Sequence, residues 1–197
     1  MGLWDSLMGR SRPRQANLDS LFLVPSAAIT LQTTLGLVPT GDGSVCYRGA
    51  AGVAFAETED EVVELLRSTG DAPDVRVTRD EFGYTWVEVD REPGSGVEGL
   101  CTALHAVNTA LEAQGFGPGL LCTVVTFEDP TGRTLGLVYL YKQGTFYPFV
   151  PTGPQQRDNL MEIQVRNELA EELPVEQDLS RWLAIWGAPG LRPGGAR

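Results

Sequence analysis

Three strand-like stretches in the second half of the chain constrain its fold most strongly. Residues 120–127, 133–142 and 145–150 are rich in β-branched and aromatic side chains, which favour strands. The residues that join them, 129–132 and 143–144, contain Asp, Pro and Gly, which are typical of tight turns. Strands joined by turns this short run antiparallel. The sequence therefore predicts an antiparallel sheet.

Two further strand pairs precede this group. Residues 45–48 and 53–56 flank a glycine-rich stretch and predict one hairpin. Residues 75–78 and 84–89 predict a second pair, and the latter alternates in polarity as a half-buried strand does. The predicted sheet thus has about six or seven strands.

Helical signals separate and follow the strand pairs. Thr58 and Glu61 have the spacing of a capping box, which predicts a helix start. Apolar residues recur at helical spacing over residues 97–115. Residues 157–172 predict a last helix, and its expected inward side chains are Leu160, Ile163, Val165 and Leu169.

The order of these elements favours an α+β fold in which helices pack on one face of the antiparallel sheet. N-terminal helices are expected to precede it, one beginning at Leu18 after Asn17 and another over residues 26–35. We expect an N-terminal segment at residues 1–16, one domain at 17–188, and a disordered tail at 189–197.

Charge is distributed unevenly along the chain. The net charge is −11, yet the three arginines of residues 1–16 outweigh Asp5 and give that segment +2, which leaves −13 for the rest. The acidic body would be repelled by phosphate backbones and anionic lipids. Nucleic acid is therefore not an expected partner, and contact with an anionic membrane would have to involve the first residues.

The N-terminal segment is the candidate binding site. Its apolar residues share one face of a short helix, and its arginines follow directly. A helix this short is not stable alone in water and orders only against another surface. That surface is a membrane or a partner protein, and the alternative that the segment folds back on its own domain stays open. The residues of this site are Leu3, Trp4, Leu7, Met8, Arg10, Arg12 and Arg14.

No stretch of the sequence reads as a membrane span. The most apolar run, residues 18–37, is interrupted by Asp19, Pro25 and Gln32, whereas a span needs about 20 predominantly apolar residues. We expect a cytoplasmic protein with peripheral contact at the inner face of the membrane.

The thiols and the single histidine give no strong sign of chemistry. Cys46, Cys101 and Cys122 form no C-x-x-C pair, which favours reduced thiols in a cytoplasm. Cys101 and His105 lie one helical turn apart, but zinc would need two more ligands and a nucleophile would need an oxyanion hole. Core thiols and a histidine at a polar edge are the favoured interpretation. No catalytic residue, metal or cofactor is expected.

Several strings resemble the family of PspA-associated proteins called PspAB. They are residues 2–10 (Gly-Leu-Trp-Asp-Ser-Leu-Met-Gly-Arg), 15–19 (Gln-Ala-Asn-Leu-Asp), 104–108 (Leu-His-Ala-Val-Asn), 137–149 (Leu-Val-Tyr-Leu-Tyr-Lys-Gln-Gly-Thr-Phe-Tyr-Pro-Phe) and 181–189 (Arg-Trp-Leu-Ala-Ile-Trp-Gly-Ala-Pro). The resemblance implies a protein encoded near phage-shock protein A and often near an HtpX-type membrane protease. The resemblance supplies no established catalytic or binding residues that could be transferred to this sequence.

Three functions remain as hypotheses, in this order. The first is a non-enzymatic accessory or adaptor protein of the PspA envelope-stress response, which docks a PspA-type scaffold, an HtpX-type protease or the inner membrane face. The second is a cytosolic chaperone-like binding module that uses an exposed sheet edge or helix groove. The third is a thiol or metal-dependent enzyme, and it would require Cys101 and His105 to act together.

Overall fold

A computed structural model describes residues 17–49, 63–64, 74–91 and 96–194 of the chain. The predicted strand at 53–56 and the capping box at Thr58 and Glu61 lie outside these residues. Val63 and Glu64 are helical, and Val63 is buried in the core.

The described fold contains a six-stranded sheet. Its strands lie in the order β2-β3-β1-β4-β5-β6, and all neighbours pair antiparallel. The predicted α+β fold with an antiparallel sheet is confirmed. The strands are β1 (Val38–Tyr47), β2 (Asp74–Arg79), β3 (Thr85–Asp90), β4 (Leu120–Glu128), β5 (Thr134–Leu140) and β6 (Thr145–Phe149), and a separate small pair follows as β7 (Pro151–Gly153) and β8 (Gln156–Arg157).

Besides the helical residues Val63 and Glu64, the described part of the chain has three bounded α-helices beside the sheet. A 3-10 helix, Leu18–Leu23, leads into α1 (Val24–Leu35), which Gly36 ends at a φ of 68°. The best-defined sequence pattern forms α2 (Val97–Ala113). Asp158 begins α3 (Asn159–Leu169) by accepting a hydrogen bond from the backbone N–H of Met161, as N-cap residues do.

The helices cover one face of the sheet, as the sequence predicts. Side chains alternate between the faces of a strand, so Val125 and Phe127 of β4 join the helical core whereas Cys122 and Val124 do not. Buried residues of all three helices pack in that core. The opposite face is covered by residues 182–191, an irregular stretch that we call the C-terminal strap.

Strand β1 differs from its predicted partnership. It is longer than residues 45–48 and lies in the middle of the sheet, between β3 and β4. Local turn residues favoured a hairpin with the next segment, but the pairing with β4 joins strands far apart in sequence, and only burial in a common core selects such a partner.

The inward side of α3 was predicted wrongly at one position. Leu160 is 80% exposed, and Met161 is buried in its place. The helix begins at Asn159, and its buried apolar positions are Met161, Val165 and Leu169, which recur every four residues along one face.

The end of the chain differs from the expected tail where it is described. Leu191 packs on the strap face of the sheet, Arg192 exchanges two hydrogen bonds with Thr134, and the N–H of Gly194 donates to the carbonyl of Pro151. Residues 195–197 lie outside the described part.

Candidate functional site

The predicted contact residues lie outside the described part of the chain. Leu3, Trp4, Leu7, Met8, Arg10, Arg12 and Arg14 all precede residue 17, where the description begins. Their role in membrane or partner contact therefore stays a prediction.

The first helical stretch after that segment leaves large apolar side chains in solvent. Phe22 is 47% exposed, Leu23 42% and Ile29 66%. The opposite side of the same stretch, including Leu21, Ala27 and Leu31, is sealed in the core. The stretch thus packs in the core on one side and exposes apolar side chains on the other.

Length and composition alone would allow that stretch to cross a bilayer. Leu18–Leu35 has a mean hydropathy of 1.2 over 18 residues, and 39% of it is buried within the protein. A core helix satisfies the same criterion, so the criterion by itself assigns no membrane segment.

Cys101 and His105 lie in different surroundings. Cys101 is fully buried, and burial, with Glu98 nearby, raises the pKa of its thiol to about 12. His105 instead faces the protein surface, where its Nε2 lies 3.4 Å from Asp19 Oδ1 and its ring lies 4.9 Å from the ring of Phe22. Within the described ranges, no three His, Cys, Asp or Glu side chains gather as metal ligands would.

A cavity of about 470 Å³ lies between the sheet and the C-terminal strap. Its walls are mostly aromatic and aliphatic, and its buried floor is formed by Cys46 and Cys122. Strand residues and strap residues both contribute, so the cavity exists only once the strap covers the sheet. We take this cavity as the candidate site of the described fold.

The two cysteines of the floor are cross-strand partners. Cys46 of β1 lies opposite Cys122 of β4, and both thiols are free. A hydrogen bond with Cys122, followed by burial, raises the pKa of Cys46 far above its ordinary value. A thiol that stays protonated is a poor nucleophile, so Cys46 acts here as a small apolar surface.

A β-bulge shapes the same floor. The register passes from Cys46 opposite Cys122 to Tyr47 opposite Leu120, which leaves Leu121 as the extra residue. Strict alternation would place Leu121 on the helical side of the sheet. It packs on the strap side with Cys122 instead, because a bulge turns a side chain to the other face.

Polar groups in the walls bond to the protein itself. Trp86 Nε1 donates to Asp80 Oδ2 at 3.0 Å, and Asp80 Oδ1 accepts from the backbone N–H groups of Phe82 and Tyr84. The Tyr147 hydroxyl donates to the carbonyl of Leu183 at 2.9 Å, and burial raises the pKa of that phenol. These pairings leave an apolar interior.

The strap is anchored on both sides of the cavity. On one side Trp182 Nε1 donates to the carbonyl of Glu176 at 3.0 Å, and its own carbonyl accepts from Arg157 at 2.8 Å. On the other side Leu191 lies against Gly136, where a Cβ would stand only 3.0 Å from Leu191 Cδ1. Glycine in β5 therefore permits this close approach.

The exposed members of the lining mark the mouth of the cavity. Phe82 and Leu183 are each 62% exposed, and Lys142, the single lysine of the chain, is exposed beside them. Lys142 has no ion pair or hydrogen bond with any described residue. Among the lining residues, Lys142 is the cation and Asp80 is the anion.

The cavity is not evident from the sequence, which predicts core positions for the cysteines and a tail at residues 189–197. One signal was present, because the aromatic pair Trp182 and Trp186 lies in a stretch with no helical or strand pattern, and such residues need an apolar surface to cover.

The family comparison covers almost the whole chain. A family model described as PspAB, PspA associated protein B, matches residues 1–190. No curated protein and no solved structure matches. The match includes the basic N-terminal segment and every helix and strand of the described fold.

Proposed function

The chain belongs to the PspAB family of PspA-associated proteins, and from this premise we propose that it is a non-enzymatic accessory protein that docks a PspA-type scaffold at the inner face of the cell membrane. The N-terminal segment makes the contact, and the acidic domain is carried with it. An HtpX-type membrane protease is the second partner in this proposal.

The family match is the observation that carries the proposal. It begins at residue 1, so the match includes the amphipathic basic segment. Arginines near an anionic surface contribute about 1 kcal/mol each. Partly buried apolar side chains each add less than the roughly 1.5–3 kcal/mol of full burial. The segment alone binds weakly, and a protein partner at the membrane makes the attachment firm.

The exposed apolar side chains of the first helices are a second observation in favour of docking near this end of the chain. Phe22 and Leu23 follow the segment within a few residues, and Ile29 lies further along α1. Exposed apolar side chains that cluster are typical of interaction surfaces. Docking through residues 1–16 would bring these side chains close to the same partner.

The described sheet gives less support to the chaperone-like alternative. Strand β6 is an edge strand, but Phe146 N–H donates to the carbonyl of Pro174, and Phe146 O accepts from the N–H of Glu176, both at 2.8 Å. Residues 174–176 thus cover this edge and occupy the groups that strand addition would use.

Co-sedimentation tests the proposal. Full-length protein is mixed with purified PspA and with vesicles of either phosphatidylglycerol or phosphatidylcholine, and the pelleted fraction is measured. We expect PspA and phosphatidylglycerol together to give the largest fraction. Changing Arg10, Arg12 and Arg14 to Gln should reduce it severalfold, and removing residues 1–14 should reduce it to background.

The matched control changes the same three arginines to Lys, which keeps the charge. This variant should pellet nearly as well as the unchanged protein, since attraction to anionic lipid depends mainly on charge. Equal pelleting of all variants in every mixture would refute the proposal. Capture of PspA that survives the deletion would instead favour the chaperone-like module.

A further inference from the structure

The cavity beneath the C-terminal strap has the size and form of a small-molecule site. Its volume of about 470 Å³ lies within the roughly 300–1,000 Å³ of ligand pockets in proteins. It is bounded by a rigid sheet on one side and by a strap anchored at Trp182 and Leu191 on the other. These boundaries make it a preformed space.

The interior of this cavity suits an apolar group. Cys46, Cys122 and Trp86 are buried at its floor, and Leu121 is turned toward it by the bulge in β4. The polar atoms of Trp86 and Tyr147 already donate to protein acceptors. A ligand group that reaches this floor gains apolar contact, and the indole and phenol donors beside it are already satisfied.

The mouth suits an anion. Lys142 stands there without a partner among the described residues, in a chain of net charge −11. The carboxylate of Asp80, which also lines the cavity, keeps its negative charge, but it accepts three hydrogen bonds from the indole and backbone N–H groups around it. Of these two charged groups, the ammonium of Lys142 is therefore the one with donors left for a ligand.

We propose that this cavity binds a single-chain amphiphile with an anionic head group, of which a long-chain fatty acid is the simplest. The hydrocarbon chain lies over the Cys46 and Cys122 floor and against Trp86. The carboxylate lies at the mouth beside Lys142. This activity is separate from docking through residues 1–16 and does not depend on it.

Fluorescence titration with cis-parinaric acid tests the proposal. This fatty acid absorbs where tryptophan emits, and Trp86 and Trp186 line the cavity. With the full chain, and below the micellar concentration, we expect saturable energy transfer at one ligand per chain. Lys142→Ala should weaken binding about twofold to fivefold, the range of one charge pair in contact with water.

Two matched comparisons separate the head group from the chain. Lys142→Arg keeps the charge and should bind as the unchanged protein does. The uncharged methyl ester of parinaric acid should bind Lys142→Ala and the unchanged protein equally, because it has no carboxylate that could pair with Lys142.

Two further variants fill the cavity from opposite sides. Cys122→Leu projects into it from the floor, and Ala184→Phe does so from the exposed strap, where folding depends less on the substitution. Each variant should bind both the acid and the ester about tenfold or more weakly than the unchanged protein does. Circular dichroism checks that the variants fold.

Three results would overturn the proposal. They are no saturable binding by the folded protein, unchanged binding in folded Cys122→Leu or Ala184→Phe, and binding to phosphatidylglycerol vesicles with none to the monomeric fatty acid. The last result would assign lipid contact to the N-terminal segment alone, so the two proposals fail independently.

Discussion

Asp129 shows how a single side chain fixes the β4–β5 turn. Its Oδ1 accepts from the N–H and hydroxyl of Thr131 and from the N–H of Arg133, and its Oδ2 accepts from Arg133 Nε at 2.8 Å. Burial alone would raise the pKa of Asp129, but the bonds from Thr131 and Arg133 outweigh it and lower the pKa to about 2. The turn therefore depends on the ionised carboxylate.

We expect Asp129→Ala to lower the free energy of unfolding by about 2 kcal/mol at pH 7, because hydrogen bonds to a charged acceptor are lost from a buried site. Since its pKa is depressed, the contribution of Asp129 is present above its ordinary pKa of 3.8 and is lost as the pH falls toward 2. Urea unfolding at several pH values measures both effects.

Asp178→Ala is the control for this prediction. Asp178 makes the same kind of bonds to the N–H and hydroxyl of Ser180, but its side chain is 51% exposed. It should change stability much less than Asp129→Ala. Equal losses in the two variants would contradict the view that burial gives Asp129 its effect.

Because the thiol of Cys101 is buried, we expect the protein to lose stability in alkali. Folding raises the pKa of its thiol from 9.0 to about 12 through burial, so its contribution is complete below pH 9 and is lost as the pH rises from 9 to 12. The unfolding free energy should fall with a slope approaching about 1.4 kcal/mol per pH unit from this group. In Cys101→Ala that slope should be shallower, and parallel curves for the two proteins would contradict the prediction.

At the scale of elements, a buried ion pair joins α3, β6 and the strap. Glu162 accepts from Arg157 Nε at 2.8 Å and from the N–H of Val150, while Arg157 donates to the carbonyl of Trp182 and lies 4.9 Å from the ring of Phe149. Burial raises the pKa of Glu162, although the bonds from Arg157 and Val150 oppose this. Glu162 and Arg157 thus contact all three of these elements.

We expect Glu162→Gln to destabilise the protein by about 3–5 kcal/mol, because it leaves Arg157 as an uncompensated buried charge. Glu168→Gln makes the same chemical change at an exposed position of α3 and should cost less than about 0.5 kcal/mol. Thermal and urea unfolding measure both. A small effect at Glu162 would show that water reaches the pair.

Elements with their own periodicity could be predicted from sequence, whereas those defined by distant partners could not. The pattern of α2 and the tight turns of β4 to β6 are local signals, and the structure confirms them. The pairing of β1 with β4 and the meeting of Cys46 with Cys122 arise only in the assembled sheet. The candidate cavity escaped prediction because the strap that closes it has irregular backbone.

At the scale of the whole molecule, the two faces of the sheet are covered in different ways. Helices seal one face, and the strap covers the other with Trp182, Trp186 and Leu191. Trp182 lies stacked on Tyr147, with ring centroids 6.1 Å apart, and Trp186 meets Phe149 edge to face at 5.0 Å. The strap is thus part of the core although it has little regular structure.

A chain that stops after residue 187 should lose about 2–4 kcal/mol of stability. It lacks Leu191, which covers apolar surface of the sheet, and Arg192, which is hydrogen-bonded to Thr134. A chain that stops after residue 194 keeps these contacts and serves as the control. Differential scanning calorimetry compares their unfolding temperatures. If the two truncations unfold alike, the end of the strap does not stabilise the sheet.

The central position of β1 has a consequence for synthesis of the protein. β1 is made early, yet one of its neighbours, β4, ends at Glu128. A growing polypeptide therefore carries its middle strand with one side unmatched until well past the halfway point of translation, and such exposed backbone invites wrong associations. Protease digestion of ribosome-bound chains of increasing length should detect protection of β1 only after β4 has emerged.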